Sequence, residues 1–488
     1  MATYKLAVIL KNRSNNKEFV IVKQTPPPKF NDHEYDSYAD SDLWDLPSAK
    51  LTSLSPESVS STQILIQGQD TCLHKLDLTK FDLRSALNEV LGQVGFVSVD
   101  EIEWKFLKFV EEPNFGPAYP IETVYVTGGL ATNVGTLKDH CQWSCKESCL
   151  DLLLQVKPGG DRVGPLVVEG LLKDSQSDSL KLPPTLSCQE YPPGVNIVPM
   201  GSRTAKPFLT TNLIIFAPGS DNVKHESSPF VAEGDAMIVD PGCRSEFNKE
   251  LAEIVAALPR KLIVYVTHHH RDHVDGLSTV QKTNPDACLL VHENTMNRIS
   301  KDDWSGGCTT VSGTEEICIG GERLRIIFAP GHTDGHLALL HVSTNSLIVG
   351  DHCVGQGSAF LDINSGGNMS DYFQSSYKFI DLSPNALISM HGRVNLWPKH
   401  MLCGYLKNRR NREETILKAI EAGSNTLFDI VAYTYAEVDR AYWIPAASNV
   451  RLHVDHLAHQ NKLPTDFSLE NFSDSCSQFT AQLQVGKL

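Results

Sequence analysis

The sequence predicts a multidomain protein of the α/β or α+β class, in which strands and helices both contribute to the folded units. Its 488 residues are enough for two to four domains of ordinary size. The apolar fraction of 41% supplies the packed cores that such domains need, which excludes a disordered chain. Short apolar and β-branched runs also alternate with stretches of helical period, as in mixed α/β folds.

Residues 1–175 are predicted to form one α/β domain. Two of its fragments resemble the Nudix hydrolase fold: Trp-Asp-Leu-Pro at residues 44–47, and residues 83–96, which resemble the Nudix box helix. A Nudix box needs several glutamates on one helix face, because magnesium at a diphosphate requires oxygen ligands. Here Glu89 matches one of them, but Gly-Gln at residues 92–93 replaces two adjacent glutamates. The resemblance implies a degenerate Nudix-like domain that binds a ligand or covers the next domain without catalysis.

A possible metal cluster lies inside this region. His140, Cys141, Cys145 and Cys149 follow one another at helical spacing and precede an apolar run. Zinc or an iron–sulfur cluster would suit such residues, but cysteine is also a common core residue. We favour one half-buried helix face over a metal site.

A linker and a second domain follow. Residues 176–194 have linker composition, since polar residues come first and paired prolines follow. Residues 195–400 are then predicted as one domain, with strands at residues 195–198 and 208–216 in its first sheet.

Residues 401–488 are predicted as a small helical domain. Apolar periodicity indicates helices near residues 405–420, 427–431 and 450–457. Three short helices of this size suit a winged-helix-like domain. Domains of this kind bind nucleic acid about as often as they bind other proteins.

The strongest chemical signal is Thr-His-His-His-Arg-Asp-His at residues 267–273. The apolar run at residues 261–266 indicates a buried strand, which places the motif on a loop at the end of that strand. Imidazole and carboxylate are the usual non-sulfur ligands of zinc, and side chains on a loop can converge on one point. The sequence therefore predicts a metal site here.

The pattern His268-x-His270-x-Asp272-His273 resembles the signature of the metallo-β-lactamase fold. That resemblance implies an αββα sandwich, whose hydrolases hold one or two metal ions at one end of two packed sheets.

The resemblance extends to four downstream or upstream positions. Asp240, in Asp-Pro-Gly, resembles a residue that orients ligands without binding metal. His332 follows a predicted strand, Asp351 ends another, and His391 lies in Ile-Ser-Met-His-Gly. The family pattern implies that these last three residues are metal ligands, with Asp351 between two metals.

The implied ligand set describes a two-metal centre with about two zinc ions per chain. One site would consist of His268, His270 and His332, a second of Asp272, His273 and His391, and Asp351 would bridge them. Two divalent ions roughly 3.5 to 4 Å apart can lower the pKa of a shared water, so that hydroxide acts as the nucleophile. No serine or cysteine nucleophile is then required.

Other residues beside the ligands have supporting roles in this interpretation. Asp272 and His336 are the predicted catalytic residues, and His336 and His352 would orient ligands or donate protons. Cys353 is predicted to be structural, because the mechanism needs no thiol.

The domain order resembles the endoribonuclease lactamase-β-like protein 2 group, in which an Arg-rich helix follows the lactamase fold. The implied substrate is single-stranded RNA. The local cations that could hold it are Arg393, Lys399, Lys407, Arg409, Arg410 and Arg412. The net charge of −15 argues against a protein that wraps a duplex by bulk electrostatics.

Two alternatives stay open. A thioester or lactone hydrolase of the glyoxalase II type shares the same histidine signature, and a scaffold without activity is disfavoured by the intact ligand set. The larger processing nucleases of the superfamily carry a whole domain between the bridging aspartate and the last histidine. Only 40 positions separate Asp351 from His391, which excludes that architecture.

Compartment signals are weak but consistent. No stretch approaches 18 consecutive apolar residues, so no membrane span is expected. The twelve cysteines form no small disulfide framework and no signal peptide is recognised, so we expect a cytoplasmic protein ahead of a mitochondrial or plastid one. The sequence does not indicate an oligomeric state.

Overall fold

The computed structural model describes residues 2–30, 33–54, 64–68, 75–96, 98–130, 136–154, 159–164, 181–218 and 230–485. Among these residues the strands form three sheets, and the last part of the chain is helical. The mixed α/β class predicted from the sequence is therefore confirmed. The predicted boundary at residues 175 and 176 lies outside the described residues.

The first sheet belongs to the N-terminal region. Its strands are β1 (Thr3–Asn12), β2 (Glu18–Lys23), β3 (Leu43–Asp45), β4 (Ser48–Lys50), β5 (Ile66–Gln67), β6 (Trp104–Glu111), β7 (Ile121–Leu130), β8 (Cys141–Cys145) and β9 (Arg162–Val163). Its helices are α1 (Leu83–Val94) and α2 (Lys146–Leu154). The central strand β1 runs parallel to β7 and antiparallel to β2.

Helix α1 is the segment that resembles the Nudix box. Asp82 caps its first turn by accepting a hydrogen bond from the Ser85 amide, and Gly95 ends it with a left-handed backbone. Its apolar residues recur every three or four positions and pack on the sheet. Glu89 is exposed, whereas Gln93 donates a hydrogen bond to the Ser48 carbonyl. Gln93, which stands where the Nudix pattern has a glutamate, therefore makes a contact within the domain.

The predicted helix through the cysteine cluster is wrong for its first part. Cys141 and Cys145 lie on β8, opposite Val22 and Glu18 of β2, and only Cys149 lies on a helix. The error has a simple cause, because residues four apart share a face on a strand as well as on a helix.

Two further sheets pack face to face. The first contains β10 (Gln189–Glu190), β11 (Val195–Gly201), β12 (Thr210–Phe216), β14 (Ala236–Val239), β15 (Leu262–Tyr265), β16 (Cys288–Val291) and β17 (Cys308–Thr310). The second contains β13 (Ala232–Gly234), β18 (Glu316–Ile319), β19 (Glu322–Phe328), β20 (Leu337–His341), β21 (Ser346–Gly350) and β22 (Ala386–Ser389). A shared core joins their inner faces, with Ile214 and Met237 from one sheet against Leu339 and Ile348 from the other.

Helices cover both outer faces of this sandwich, which gives four layers in the order α, β, β, α. They are α3 (Asn248–Ala257), α4 (Arg271–Val274), α5 (Leu277–Thr283), α6 (Glu293–Met296), α7 (Met369–Asp381) and α8 (Pro398–Glu421). Leu251 of α3 and Leu277 of α5 pack on the outer face of the first sheet. Tyr372 of α7 and Leu402 of α8 pack on the outer face of the second.

The chain ends in a helical region that α8 ties to the sandwich. It is completed by α9 (Leu427–Thr434), α10 (Trp443–His459) and α11 (Leu469–Val485). Leu406 of α8 belongs to the sandwich cluster, whereas Ile416 of the same helix belongs to the C-terminal cluster. The predicted boundary at residue 400 thus falls within a continuous helix, and residues 396–485 contain no strand that could form a wing.

The N-terminal region is fixed to the sandwich by the segment between β2 and β3. The Asp40 carboxylate accepts hydrogen bonds from the amides of Lys399 and His400 at the start of α8. Phe30 stacks on the His400 ring, and Tyr35 is buried in the core under α7 and α8. None of the described helices has both the length and the apolar character that a membrane crossing requires.

Candidate metal centre

The candidate site lies where strands of both sheets end. Strand β14 leads into Asp240, β15 into His268, β21 into Asp351, and β22 into His391. Within each sheet the two strands run parallel, so their ends meet at one edge. This topology gathers residues that are far apart in sequence.

The predicted metal motif at residues 267–273 is only partly a loop, contrary to the sequence prediction. Asp272 and His273 lie on the one-turn helix α4, which begins directly after His270. Gly242 allows this arrangement, because a Cβ atom there would overlap the Asp272 carbonyl. The two segments after β14 and β15 can therefore pass in backbone contact.

Three imidazoles form the first pocket. His268 Nε2 lies 3.0 Å from His270 Nδ1, and His332 Nε2 lies 3.1 Å from each of these atoms. His268 and His332 are fully or almost fully buried.

The outer nitrogen of each imidazole has its own acceptor. His270 Nε2 donates to Asp362 Oδ2 at 3.2 Å, and His332 Nδ1 donates to the Phe360 carbonyl. His268 Nδ1 donates to Thr267 Oγ1, and the Thr267 hydroxyl in turn donates to the Asp240 carboxylate. Since the outer nitrogens carry the protons, three lone pairs point inward. This is the protonation pattern that a divalent cation requires of its histidine ligands.

The pKa values agree with neutral imidazoles. Burial lowers the pKa of His332 to about 3, and burial also holds the pKa of His268 well below its usual range. Three converging lone pairs without a proton between them fit a metal ion of the kind that imidazole prefers, such as zinc.

The second pocket mixes two imidazoles with two carboxylates. His391 Nε2 lies 3.3 Å from both Asp272 Oδ2 and Asp351 Oδ1. His273 Nε2 lies 3.5 Å from Asp351 Oδ1 and 3.7 Å from Asp272 Oδ2. His273 Nε2 and Asp351 Oδ1 are buried and have no hydrogen-bond partner among the described residues. Such atoms cost free energy unless something satisfies them, and a divalent cation would satisfy both.

Asp351 faces both pockets. Its Oδ2 lies 3.9 Å from His268 Nε2 and 3.8 Å from His332 Nε2, while its Oδ1 faces the second pocket. This is the position that a bridging carboxylate requires.

Asp240 orients residues of both pockets. Its buried carboxylate accepts hydrogen bonds from the Thr267 amide at 2.7 Å and the Thr267 hydroxyl at 2.6 Å. It also accepts from His273 Nδ1 at 2.7 Å, which turns Nε2 of that ring toward the second pocket. On the other side His391 Nδ1 donates to the Thr210 carbonyl at 2.9 Å.

His336, predicted as a catalytic residue that orients ligands or donates a proton, contacts the backbone on either side of the site. Its Nδ1 donates to the Ala329 carbonyl at 3.0 Å, and its Nε2 accepts from the Asp351 amide at 3.1 Å. Both nitrogens are occupied and the ring is buried, an arrangement that suits a residue orienting Asp351. His352 lies behind the ligands, bonded to Ser376 and stacked on Tyr372.

Asp362 and the loop at residues 202–209 were missed by sequence reasoning. Asp362 holds His270, and its own carboxylate accepts from the Ser365 hydroxyl at 2.6 Å. The loop brings Thr204 Oγ1 to 3.4 Å from His391 Nε2. Neither feature carries a local pattern, and only the contact with a motif histidine reveals it.

The cationic track predicted on α8 is wrong. Arg409 is only 5% exposed and donates to Asn449 and to the Ala359 carbonyl. Arg410 contacts Glu34 and lies over the Phe373 ring, and Arg412 donates to the Thr434 carbonyl. The helix is packed between the sandwich and the C-terminal helices, so these guanidinium groups serve as internal contacts. Two of the remaining predicted cations also have side-chain contacts: Arg393 with Glu112 and Lys407 with the Phe30 ring.

Comparison with known proteins agrees with this geometry. Residues 226–378 match the family model of the Metallo-beta-lactamase superfamily, so this part of the chain is a domain of that superfamily. The Beta-lactamase-like protein 2 homolog of Drosophila melanogaster is 26% identical over 212 residues, which are 41% of this chain and 69% of that protein. The homolog of the same name from Caenorhabditis elegans is 25% identical over 244 residues, 47% of this chain and 80% of that protein.

Hydroxyacylglutathione hydrolases also match. The enzyme of Yersinia enterocolitica is 31% identical over 129 residues, 26% of this chain and 45% of that protein. Among solved structures, a β-lactamase domain protein from Burkholderia ambifaria is 17% identical, with a TM-score of 0.46 over 61% of this chain and 96% of that chain.

Proposed function

We propose that the protein is a hydrolase whose centre holds two divalent cations, with zinc as the resident metal. The observation that carries this proposal is the convergence of seven side chains around two pockets. Three lone pairs point into the first pocket, and two buried polar atoms of the second have no hydrogen-bond partner among the described residues. When bound, two such cations supply Lewis acidity that lowers the pKa of a water and polarises the bond to be cleaved.

The chain's own residues hold this centre ready. Asp240 and Asp362 fix ring direction, and His336 fixes the Asp351 backbone. Burial raises the pKa of Asp272, but His273 and His391 outweigh burial and lower it to about 2. This carboxylate is therefore ionised at neutral pH, and we propose that it helps to hold the second cation and orients the attacking water by accepting a hydrogen bond from it.

We propose single-stranded RNA as the substrate. The resemblance to the lactamase-β-like protein 2 group and the two relatives of similar name support this choice. In place of the α8 arginines we propose two other cations: Arg203, whose side chain is 65% exposed although its Nε lies 3.4 Å from Asp275, and exposed Lys206. Both lie on the loop whose Thr204 contacts His391, so they flank the centre where phosphates next to the cleaved bond would lie.

A thioester hydrolase is the second candidate. The internal contacts of the α8 arginines favour it, because a small thioester needs no cationic track. The similarity to hydroxyacylglutathione hydrolases favours it as well.

One assay separates the two substrates. The same preparation is offered a labelled unstructured RNA and an acyl-glutathione thioester, at low and high salt. We expect RNA cleavage by the wild type. In the double variant Arg203→Ala, Lys206→Ala, two phosphate contacts are lost. Because each contact contributes ~0.7 to the slope of log affinity against log salt, the magnitude of that slope should fall by about 1.4. The control is Arg260→Ala, an exposed arginine that precedes β15 and so lies at the opposite end of that strand. Intact RNA with thioester cleavage would replace the nuclease by the small-molecule hydrolase.

We also propose that the N-terminal region is a Nudix-like module without hydrolase activity. Gly92 and Gln93 cannot hold magnesium, and Gln93 is already bonded to Ser48. The full chain with magnesium should not hydrolyse nucleoside diphosphate derivatives. Turnover that disappears in Glu89→Gln would show the opposite.

A further inference from the structure

The N-terminal sheet reaches the metal centre through the loop between β6 and β7, residues 112–120. Phe115 of this loop is only 3% exposed, and it packs in the shared core of the sandwich rather than on its own sheet. Its cluster includes Met390, the residue before the proposed ligand His391. An N-terminal side chain thus belongs to the same core as the residue next to that ligand.

An ion pair fixes the loop beside the same ligand. Arg393 Nε and Nη2 donate to the two oxygens of Glu112 at 2.6 and 2.8 Å, and Nη2 also donates to the Tyr119 carbonyl at 2.6 Å. Glu112 in turn accepts from the Ile121 amide at 2.6 Å. A bidentate pair of this kind defines both distance and orientation. It holds both ends of the loop against the segment that follows His391.

The middle of the loop touches the site through one aromatic ring. Gly116 has φ +140°, and a Cβ atom there would lie 2.9 Å from Phe208 Cδ1, closer than side chains approach. The buried Phe208 ring lies 5.6 Å from the His391 ring, between centroids. The contacts therefore run from Gly116 to Phe208 and from Phe208 to His391.

We propose that the N-terminal sheet is a positioning element of the active centre: its loop at residues 112–120 holds Phe208, and Phe208 holds His391 in the second pocket. This inference rests on the proposed two-cation centre. It gives the N-terminal region a function that needs none of the glutamates a Nudix hydrolase requires. Within the described part of the chain, the ring contacts of His268, His270 and His332 in the first pocket are with other histidines. Only the second cation therefore depends on the loop.

The test measures zinc binding to the metal-free full-length chain by isothermal titration calorimetry. Gly116→Ala displaces Phe208, whose ring lies beside the His391 ring. The second equivalent of zinc should therefore bind at least about tenfold more weakly, within the ~10–100-fold range for residues that support ligands. The first equivalent should bind as in the wild type. Gly159→Ala is the matched control, because Gly159 also has a positive φ, +79°, but no atom of the described residues lies within 4 Å of its added Cβ.

Rescue distinguishes positioning from general damage. The methyl group added by Gly116→Ala would overlap the Phe208 ring. Phe208→Leu replaces that ring by a smaller side chain and so removes the overlap. Combining the two substitutions should therefore restore the second affinity to that of Phe208→Leu alone. Glu112→Gln leaves the backbone unchanged and should also weaken the second equivalent selectively, which tests the loop if the glycine variant does not fold.

The outcomes separate the two proposals. If Gly116→Ala and Glu112→Gln bind both equivalents like the wild type, the positioning inference is overturned and the two-cation centre stands. If the wild type binds fewer than two equivalents, the proposed function itself fails.

Discussion

The two pockets of the centre differ in what holds them. The first consists of three neutral imidazoles whose outer protons are bonded to residues of the sandwich. The second combines two carboxylates with two histidines, leaves two buried atoms without a partner in the described part of the chain, and has Phe208 and the N-terminal loop behind one ligand. The first pocket is ready for a cation as it stands, whereas the second depends on charge balance and on a distant region of the chain. We therefore expect the pockets to fill in that order and to respond differently to substitution.

The largest expected effect removes the residue that both pockets share. Asp351→Ala takes away the carboxylate between them, so zinc content should fall to about one ion or less. Hydrolysis should fall more than 100-fold, beyond the ~10–100-fold typical of supporting residues. Elemental analysis and the substrate assay measure this, with the exposed Asp286→Ala as control. Unchanged zinc content would show that Asp351 is not a ligand.

Asp240→Asn should weaken the second pocket more than the first without removing a ligand, because Asp240 contacts His273 directly but reaches His268 only through Thr267. The amide keeps the shape but loses the charge that fixes His273 and Thr267. We expect the second zinc to bind up to ~100-fold more weakly, and the free energy of unfolding to fall by about 1.5 to 3 kcal/mol for the lost charged hydrogen bonds. Calorimetry and denaturant unfolding measure both. An equal loss at both pockets would contradict the division drawn between them.

Asp362→Asn is the counterpart for the first pocket. It weakens the single bond that orients His270, and this carboxylate is partly exposed. The first zinc should bind roughly tenfold more weakly, while the second equivalent is unaffected when the first is saturated. A selective loss of the second equivalent would reverse the assignment.

The smallest expected effect is a difference in proton release. In the metal-free chain, burial lowers the pKa of His391, but Asp351 and Asp272 outweigh burial and raise it to about 10. His273 is charged as well, because burial lowers its pKa but Asp351, Asp272 and Asp240 raise it well above its usual range. Metal binding must displace both protons, so second-site affinity should rise with pH below about 10, by about tenfold per half unit. His332, with a pKa of about 3, is already deprotonated at pH 7. Calorimetry in buffers of different ionisation enthalpy should show about two protons released at the second site and none at the first. No proton release at the second site would refute the charge difference between the pockets.

The sequence was informative where chemistry is local. Residues 268–273 follow a buried strand within one short motif, so their role as a cluster could be predicted directly. The apolar runs that precede Asp240 and Asp351 form strands in the structure, because their burial pattern is written in consecutive residues.

The sequence was uninformative where tertiary contacts decide. Arg409 looks like a surface cation in a charged helix, but packing on both sides of α8 buries it. Asp362 stands in an irregular stretch, and Gly116 lies 275 positions before His391. A spacing rule covers one element at a time and cannot report which loops meet at a sheet edge.

Anomalous diffraction at the zinc edge, from crystals of the full-length chain grown with zinc, tests the central claim most directly. The account predicts two peaks roughly 3.5 to 4 Å apart. One should lie about 2.0 to 2.1 Å from the inner nitrogens of His268, His270 and His332. The other should lie among Asp272, His273 and His391, with Asp351 between the two. A single peak, or a peak enclosed by His269, His270 and Asp362, which also lie close enough to hold an ion, would contradict it.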